Sequence, residues 1–116
     1  MPFQPRELAA FEALTRAAGQ HRLVTYGELA REVGCHPHAD LARILYRIAY
    51  ACKNNGYPPL TALAVLRESL APSGGMWNVF PDVQPAERDS TWAKMIRNVC
   101  LFNWRRVPRD LFLGAS

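Results

Sequence analysis

A short stretch near the start of the chain limits its possible folds more than any other. Thr25 is followed three positions later by Glu28, the spacing of a capping box in which each side chain bonds the other residue's backbone amide. This pair predicts a helix over residues 26–33, and Gly34 ends it because a residue without Cβ adopts the left-handed conformation at little cost. Pro37 suits the first turn of a second helix, where its missing N–H costs nothing. The stretch therefore predicts two helices that meet across a tight turn.

The second helix, predicted over residues 37–53, is amphipathic. Apolar side chains recur along it at helical spacing and should face the core. They are Leu41, Ile44, Leu45, Ile48 and either Cys52 or Ala51. The other faces carry Arg43, Arg47, Tyr50, Lys53 and Asn54.

Polar pairs on this helix have two interpretations. Arg43 and Arg47 are four residues apart and share one face, while Tyr46 and Tyr50 share an adjoining one. Such a surface suits a nucleic-acid groove; the alternative is a solvated flank on which Asp40 pairs with Arg43. The net charge is +4, and twelve of the fourteen basic residues are arginine, whose planar fork matches phosphate and guanine edges. The charge therefore mildly favours a nucleic-acid partner.

After Asn54-Asn55-Gly56, which favours a turn, the pattern changes from helical to extended. Residues 60–66 are rich in apolar and β-capable residues and predict a strand. Residues 67–75 predict a loop, and residues 76–80 predict an antiparallel return strand. Two helices across a turn followed by such a hairpin is the order of a winged helix-turn-helix. The predicted fold class is α+β, a winged helix-turn-helix with a short β-hairpin wing.

Two further helices flank this unit. One is predicted over residues 5–18, and an added C-terminal helix begins after Asp82. The apolar stripe of the latter is Trp92, Met95, Ile96, Val99 and Phe102. The 116 residues predict a single domain, with residues 105–116 as a tail. The segment of residues 104–109, with three arginines and Trp104, is either a basic arm or the start of a tail whose tryptophan packs back on the domain.

Features that the sequence lacks exclude several protein classes. No apolar run approaches the roughly 20 residues that cross a bilayer, and the N-terminus has no signal-peptide pattern, so we expect a cytoplasmic protein without membrane contact. Three cysteines without a CxxC pair fit a reducing compartment. No nucleophile elbow, zinc-protease motif or nucleotide loop occurs. We expect neither enzymatic activity nor a cofactor.

The segment Cys35-His36-Pro37-His38 contains zinc-ligand residue types at an unsuitable spacing. No second pair follows at a finger-like distance, so we expect no metal site. His36 and His38 either contact a phosphate near the N-terminus of the second helix or lie on a solvated turn. Cys52 should face the core, where burial raises the pKa of a thiol and makes it unreactive.

Several motifs together resemble a known family. The run VTYGELA at residues 24–30 is followed by Gly34, by an arginine-bearing helix, by a proline-led strand and by the serine-glycine-glycine run at residues 73–75. Over residues 23–76 this order resembles the DNA-binding domain of alkylguanine-DNA alkyltransferases and the alkyltransferase-like proteins. The resemblance implies a winged-helix domain that binds double-stranded DNA.

The same resemblance implies roles for individual residues. Tyr26 would approach a DNA phosphate, and Arg43 or Arg47 would enter the base stack where a damaged base is flipped out. The asparagine pair after the helix would form a hinge. The family's P-C-H-R-V segment is missing, and residues 60–65, LTALAV, take its place. Alkyl transfer is therefore excluded on this interpretation.

A second resemblance covers more of the chain but implies no activity. Short uncharacterised bacterial proteins combine a Y-G-E-L start, a P-P-L-T-A-L-like strand, a glycine turn and a tryptophan-containing C-terminal helix.

We expect a non-enzymatic DNA-binding protein, regulatory or recognising a lesion or DNA structure. The candidate contacts are Thr25, Tyr26, His38, Arg43, Arg47, Tyr50, Lys53, Asn54, Asn55 and Ser73. The alternative is a protein-interaction module, such as an adaptor, an inhibitor or an immunity-type partner. Its C-terminal tail would then form a homodimer or bind another protein.

Overall fold

The computed structural model of the protein describes residues 5–37 and 39–107 and has an α+β fold that is mostly helical. The α-helices described are α1 (Pro5–Gly19), α2 (Tyr26–Val33), α3 (Ala39–Asn54), α4 (Met76–Val79) and α5 (Arg88–Leu101). Two short strands, β1 (Val24–Thr25) and β2 (Ala64–Val65), form a parallel pair. Turns of 3-10 helix occupy Leu60–Leu63, Pro85–Glu87 and Trp104–Arg106.

The capping box predicted for α2 is confirmed. Thr25 Oγ1 accepts a bond from the Glu28 amide at 3.2 Å, and Glu28 Oε1 accepts one from the Thr25 amide at 3.2 Å. At the other end Gly34 has φ of 79°, and its N–H donates to the Ala30 carbonyl at 2.8 Å. The left-handed turn directs the chain from α2 into α3, because glycine takes this conformation without a Cβ clash.

The predicted core face of α3 is also confirmed. Leu41, Ile44, Leu45, Ile48 and Cys52 are all buried. They lie in one cluster with Phe11 and Leu14 of α1 and with Leu60 and Leu63 of the 3-10 helix. Burial of this stripe leaves the charged positions of α3 in solvent, since helix periodicity puts them on the remaining faces.

The predicted β-hairpin wing is wrong for the described residues. Of the stretch predicted as a strand, Leu60–Leu63 is a 3-10 helix and only Ala64–Val65 is extended. That short strand pairs with β1, with Val24 opposite Ala64 and Thr25 opposite Val65. The return strand is absent, because Met76–Val79 is helix α4. The architecture of a winged helix is therefore not confirmed.

Burial explains why the hairpin does not form. Every residue from 60 to 65 is buried, so the stretch does not have the one wet face that an antiparallel hairpin presents. Met76 and Trp77 are buried although they are neighbours, which a half-exposed strand does not allow. The 3-10 turn is closed by a bond from the Ala62 amide to the Pro59 carbonyl at 3.0 Å. Short apolar runs of this kind do not distinguish strands from helical turns.

The C-terminal helix is present as α5 and packs over this segment. Trp92 Nε1 donates to the Ala62 carbonyl at 2.9 Å, and Met95 and Val99 are buried. Trp104 is 6% exposed and its Nε1 donates to the Val99 carbonyl at 2.9 Å. Of the two alternatives for the tail, packing of Trp104 against the domain is thus the one observed. Residues 108–116, on which the dimer prediction mainly falls, lie outside the described residues.

In the two described ranges, none of the helices combines the length and apolar character needed to cross a bilayer.

Removal of the α2 cap should lower stability. We expect Thr25→Ala to reduce the free energy of unfolding by about 1 kcal/mol, since it leaves the Glu28 amide without its acceptor. Thr25→Ser keeps the accepting oxygen and should lower the free energy of unfolding by only a few tenths of about 1 kcal/mol. Urea unfolding followed by circular dichroism measures both; equal losses for the two variants would show that the cap contributes little.

Candidate nucleic-acid interface

The solvent face of α3, which we define as Arg43, Arg47, Tyr50 and Asn54, brings four predicted contact residues together. All four are exposed and follow one another at spacings of four, three and four residues. They form a stripe along one side of the helix, about 16 Å long at 1.5 Å per residue. The stripe contains two cations, a phenol and an amide, all groups that can donate hydrogen bonds to phosphate or base edges.

Arg43 has no ion pair within the described part of the chain. The predicted alternative, a pair with Asp40, does not form there. Asp40 instead lies 4.0 Å from Arg6 and accepts the His36 backbone amide at 3.3 Å. The Arg43 guanidinium is thus not neutralised by a neighbouring carboxylate of these residues.

Arg47 has a structural partner that the sequence analysis missed. Its Nε lies 3.2 Å from Glu7 Oε2, and the Glu7 side chain is only 5% exposed. Burial raises the pKa of the Glu7 carboxyl above its ordinary value of 4.5, and the Arg47 charge opposes that rise. The Arg47 side chain is still 40% exposed, so it can pair with the buried Glu7 carboxylate and also contact a ligand at the surface.

A signal for this pair was present in the sequence. Glu7 precedes the apolar residues Ala10, Phe11 and Leu14 at helical spacing, so it lies on the buried stripe of α1. A carboxylate on such a stripe needs a cation, because an unpaired buried charge is costly. Which cation reaches it depends on how α1 crosses α3, and no local pattern states that.

Lys53 is also predicted as a DNA contact, but it holds α4 in place. Its Nζ donates to the Val79 carbonyl at 2.7 Å and lies 5.5 Å from the centre of the Phe80 ring. The cation therefore satisfies a carbonyl at the C-terminal end of α4, where positive charge is favourable. At the end of α3, Asn55 Nδ2 donates to the Ala51 carbonyl at 2.7 Å. The Asn55 side chain is used to close its own helix.

Tyr26 and Ser73, 47 residues apart in sequence, meet in the structure. The Tyr26 hydroxyl donates to Ser73 Oγ at 2.9 Å and accepts the Ser73 amide at 3.4 Å. Both residues are partly buried, and the Thr25 hydroxyl is used in the capping box. These three predicted contacts therefore have internal partners, whereas the solvent face of α3 remains open. His38, the remaining predicted contact, lies outside the described residues.

The described cysteine and histidine side chains do not assemble a metal site. Among those residues, no group of three or more His, Cys, Asp or Glu side chains is placed to hold a metal ion. Cys52 is fully buried, and burial raises its pKa to about 11. Cys35 and Cys100 are half-buried, and burial raises the pKa of each as well.

The thiols should react slowly in the folded protein. At pH 7 a pKa of about 11 leaves roughly one Cys52 in ten thousand as thiolate, the reactive form. We expect Cys52 to be modified by iodoacetamide only after unfolding in urea, and we expect no alkyl group to move from alkylguanine-containing DNA to Cys35, Cys52 or Cys100. Intact-mass spectrometry measures both, and a stoichiometric alkyl gain on any of the three would contradict the non-enzymatic interpretation.

Loss of Arg47 should destabilise the protein through Glu7. We expect Arg47→Ala to lower the free energy of unfolding by about 1–2 kcal/mol at pH 7, because a buried carboxylate loses its partner. The loss should shrink as the pH falls through the folded-state pKa of Glu7, since a protonated carboxyl has no charge to pair. Urea unfolding at several pH values measures it.

The Glu7→Gln background supplies the control. In that background Arg47→Ala should lower the free energy of unfolding by less, and the loss should not depend on pH. An equal, pH-independent loss in both backgrounds would mean that Arg47 acts through packing alone.

Comparisons of the chain with protein families, with curated proteins and with solved structures found no match. The resemblance of residues 23–76 to the alkyltransferase domain therefore remains an expectation from sequence motifs. The function of the chain has to be inferred from its own residues and their geometry.

Proposed function

We propose that the protein is a non-enzymatic DNA-binding protein that binds the double helix through the solvent face of α3. The observation that carries this proposal is Arg43, a guanidinium without a carboxylate partner in the described chain, aligned with Arg47, Tyr50 and Asn54. The face belongs to α3, which follows the capped helix α2 after the left-handed turn at Gly34. In a helix-turn-helix this second helix is the one that enters the major groove.

The chemistry of the face fits phosphate and base edges. Arginine forks bind phosphate or guanine with two parallel hydrogen bonds, and an amide such as Asn54 can bond adenine in the same manner. Tyr50 is 41% exposed and offers a hydroxyl at the tip of a flat ring. A stripe of about 16 Å spans roughly five base pairs at 3.4 Å each, which is enough for one half-site.

The salt bridge between Arg47 and Glu7 orders one side chain of the solvent face of α3. The bridge restricts the Arg47 guanidinium before any ligand arrives, so less side-chain entropy is lost on binding. Arg43 does not have this restriction and keeps its full charge for a phosphate. On this proposal Arg43 supplies most of the electrostatic attraction, and Arg47 supplies a fixed contact beside it.

Fluorescence anisotropy with a random-sequence duplex at low salt tests the proposal. We expect a complex whose affinity falls steeply with salt, as phosphate contacts require. Arg43→Ala should weaken binding several-fold and reduce the salt slope by about 1. Arg97→Ala is the matched control, because it removes the same charge from an exposed position of α5 and should change the affinity much less.

Two results would contradict the proposal. One is the absence of a complex with wild-type protein at low salt. The other is an equal loss of affinity in both variants, which would indicate attraction by net charge rather than by the solvent face of α3. The absence of a complex would favour the alternative, a protein-interaction module.

A further inference from the structure

Leu70, in the loop between β2 and α4, has a backbone conformation that leucine rarely adopts. Its φ is 51°, in the left-handed region where a Cβ crowds the following carbonyl oxygen. Among the described residues other than glycine, only His21 shares a positive φ, at 54°. His21 follows α1 and donates its N–H to the Ala18 carbonyl at 3.1 Å, and a left-handed residue is usual where a helix ends. Leu70 follows no helix, so its strain needs another explanation.

The turn around Leu70 is closed by its own hydrogen bonds. The Leu70 N–H donates to the Leu66 carbonyl, and the Leu66 N–H donates to the Ala71 carbonyl, both at 2.8 Å. Glycine or asparagine would serve such a turn with less strain. The Leu70 side chain is 56% exposed, so burial in the core does not offset the strain. A strained residue that neither the turn nor the core requires indicates a functional side chain.

The loop is fixed beside the solvent face of α3. Leu66 and Ser73, at either end of the loop, line a pocket between α3 and α4. The same pocket is lined by Ala42 and Tyr46, which lie on either side of Arg43 in the α3 sequence. The loop therefore stands next to the end of the solvent face at which Arg43 lies, and a duplex bound there would meet it.

The tip of the loop offers an apolar contact rather than charge. Arg67 and Glu68 are both exposed and carry opposite charges, so together they attract phosphate little. Proteins that bend DNA insert apolar side chains such as leucine between base pairs from the minor groove, which partly unstacks one step and kinks the duplex. A segment beside a helix in the major groove can reach the adjacent minor groove. Leu70 has the chemistry and the position for such a contact.

We propose that Leu70 inserts between two base pairs from the minor groove and kinks the DNA that the solvent face of α3 binds. This inference rests on the proposed function and adds the form of DNA that the protein favours, a duplex that opens easily at one step. The closed turn holds the Leu70 backbone before binding, so little freedom is lost on insertion. Unstacking opposes binding, so a duplex with one weakened step should bind more tightly.

Two duplexes of the same sequence test the insertion, one intact and one with a single central nick. The nick leaves every base in place and makes one step easier to open. We expect fluorescence anisotropy with the full chain to give about tenfold tighter binding to the nicked duplex. Energy transfer between dyes at the two duplex ends should rise on binding, because a kink brings the ends together.

Leu70→Asn should separate binding from stability. Asparagine tolerates the left-handed conformation, so the melting temperature should rise by a few degrees, while the preference for the nicked duplex and the rise in energy transfer should disappear. Leu70→Met keeps a long apolar side chain and should keep both effects. Leu101→Asn, the same change at an exposed leucine of α5, is the matched control and should also keep both. The leucine variants should not change the salt slope, whereas Arg43→Ala should reduce it for both duplexes.

Equal binding of the wild-type protein to the two duplexes, without a rise in energy transfer, would overturn the insertion and leave the proposed DNA binding in place. The same conclusion would follow if the preference persisted in Leu70→Asn or were lost equally in Leu101→Asn. A lower melting temperature of Leu70→Asn would overturn the assigned strain. The absence of a complex with either duplex would overturn the DNA binding and the insertion together.

Discussion

Burial of one face of α3 is the interaction on which the rest of the structure depends. Leu41, Ile48 and Cys52 pack against α1 and the 3-10 helix Leu60–Leu63, and each is fully excluded from solvent. Full burial of a leucine or isoleucine side chain contributes about 1.5–3 kcal/mol. Rotating the helix would expose several of these side chains and lose that contribution for each. With the rotation of α3 set in this way, its two other faces acquire different surroundings, one open to solvent and one closed by α4.

The open face and the core are coupled through a single ion pair. Glu7 is a carboxylate on the buried side of α1, and Arg47 neutralises it from the edge of the solvent face of α3. The same guanidinium is a proposed contact to DNA, so a substitution there changes stability and binding together. Arg43 has no such internal partner in the described chain, and it is therefore the cleaner test of the proposed interface.

The closed face depends on the segment between β2 and α5. Three side chains of α2 and α3 hydrogen-bond this segment. Lys53 donates to the Val79 carbonyl, the Tyr46 hydroxyl accepts from Asn78, and the Tyr26 hydroxyl donates to Ser73. These bonds use groups that the sequence suggested for DNA. Together they border a pocket between α3 and α4 that is lined mostly by carbon.

Local patterns in the sequence determined that α1, α2, α3 and α5 form, and they set both ends of α2. The Thr25 and Glu28 spacing, Gly34 and the apolar repeat of α3 each act within a few residues, where backbone and side-chain geometry are nearly independent of the remaining chain. Residues 60–66 and 76–80 were misassigned because an apolar run satisfies several local structures. Burial of residues 60–65 and of Met76, Trp77 and Val79 in the tertiary structure accompanies the helical turns that form there instead. The partners of Glu7, Lys53 and Tyr26 likewise depended on how distant elements cross. Only the tertiary structure decided those contacts, because side chains dozens of residues apart meet through packing, which no local spacing encodes.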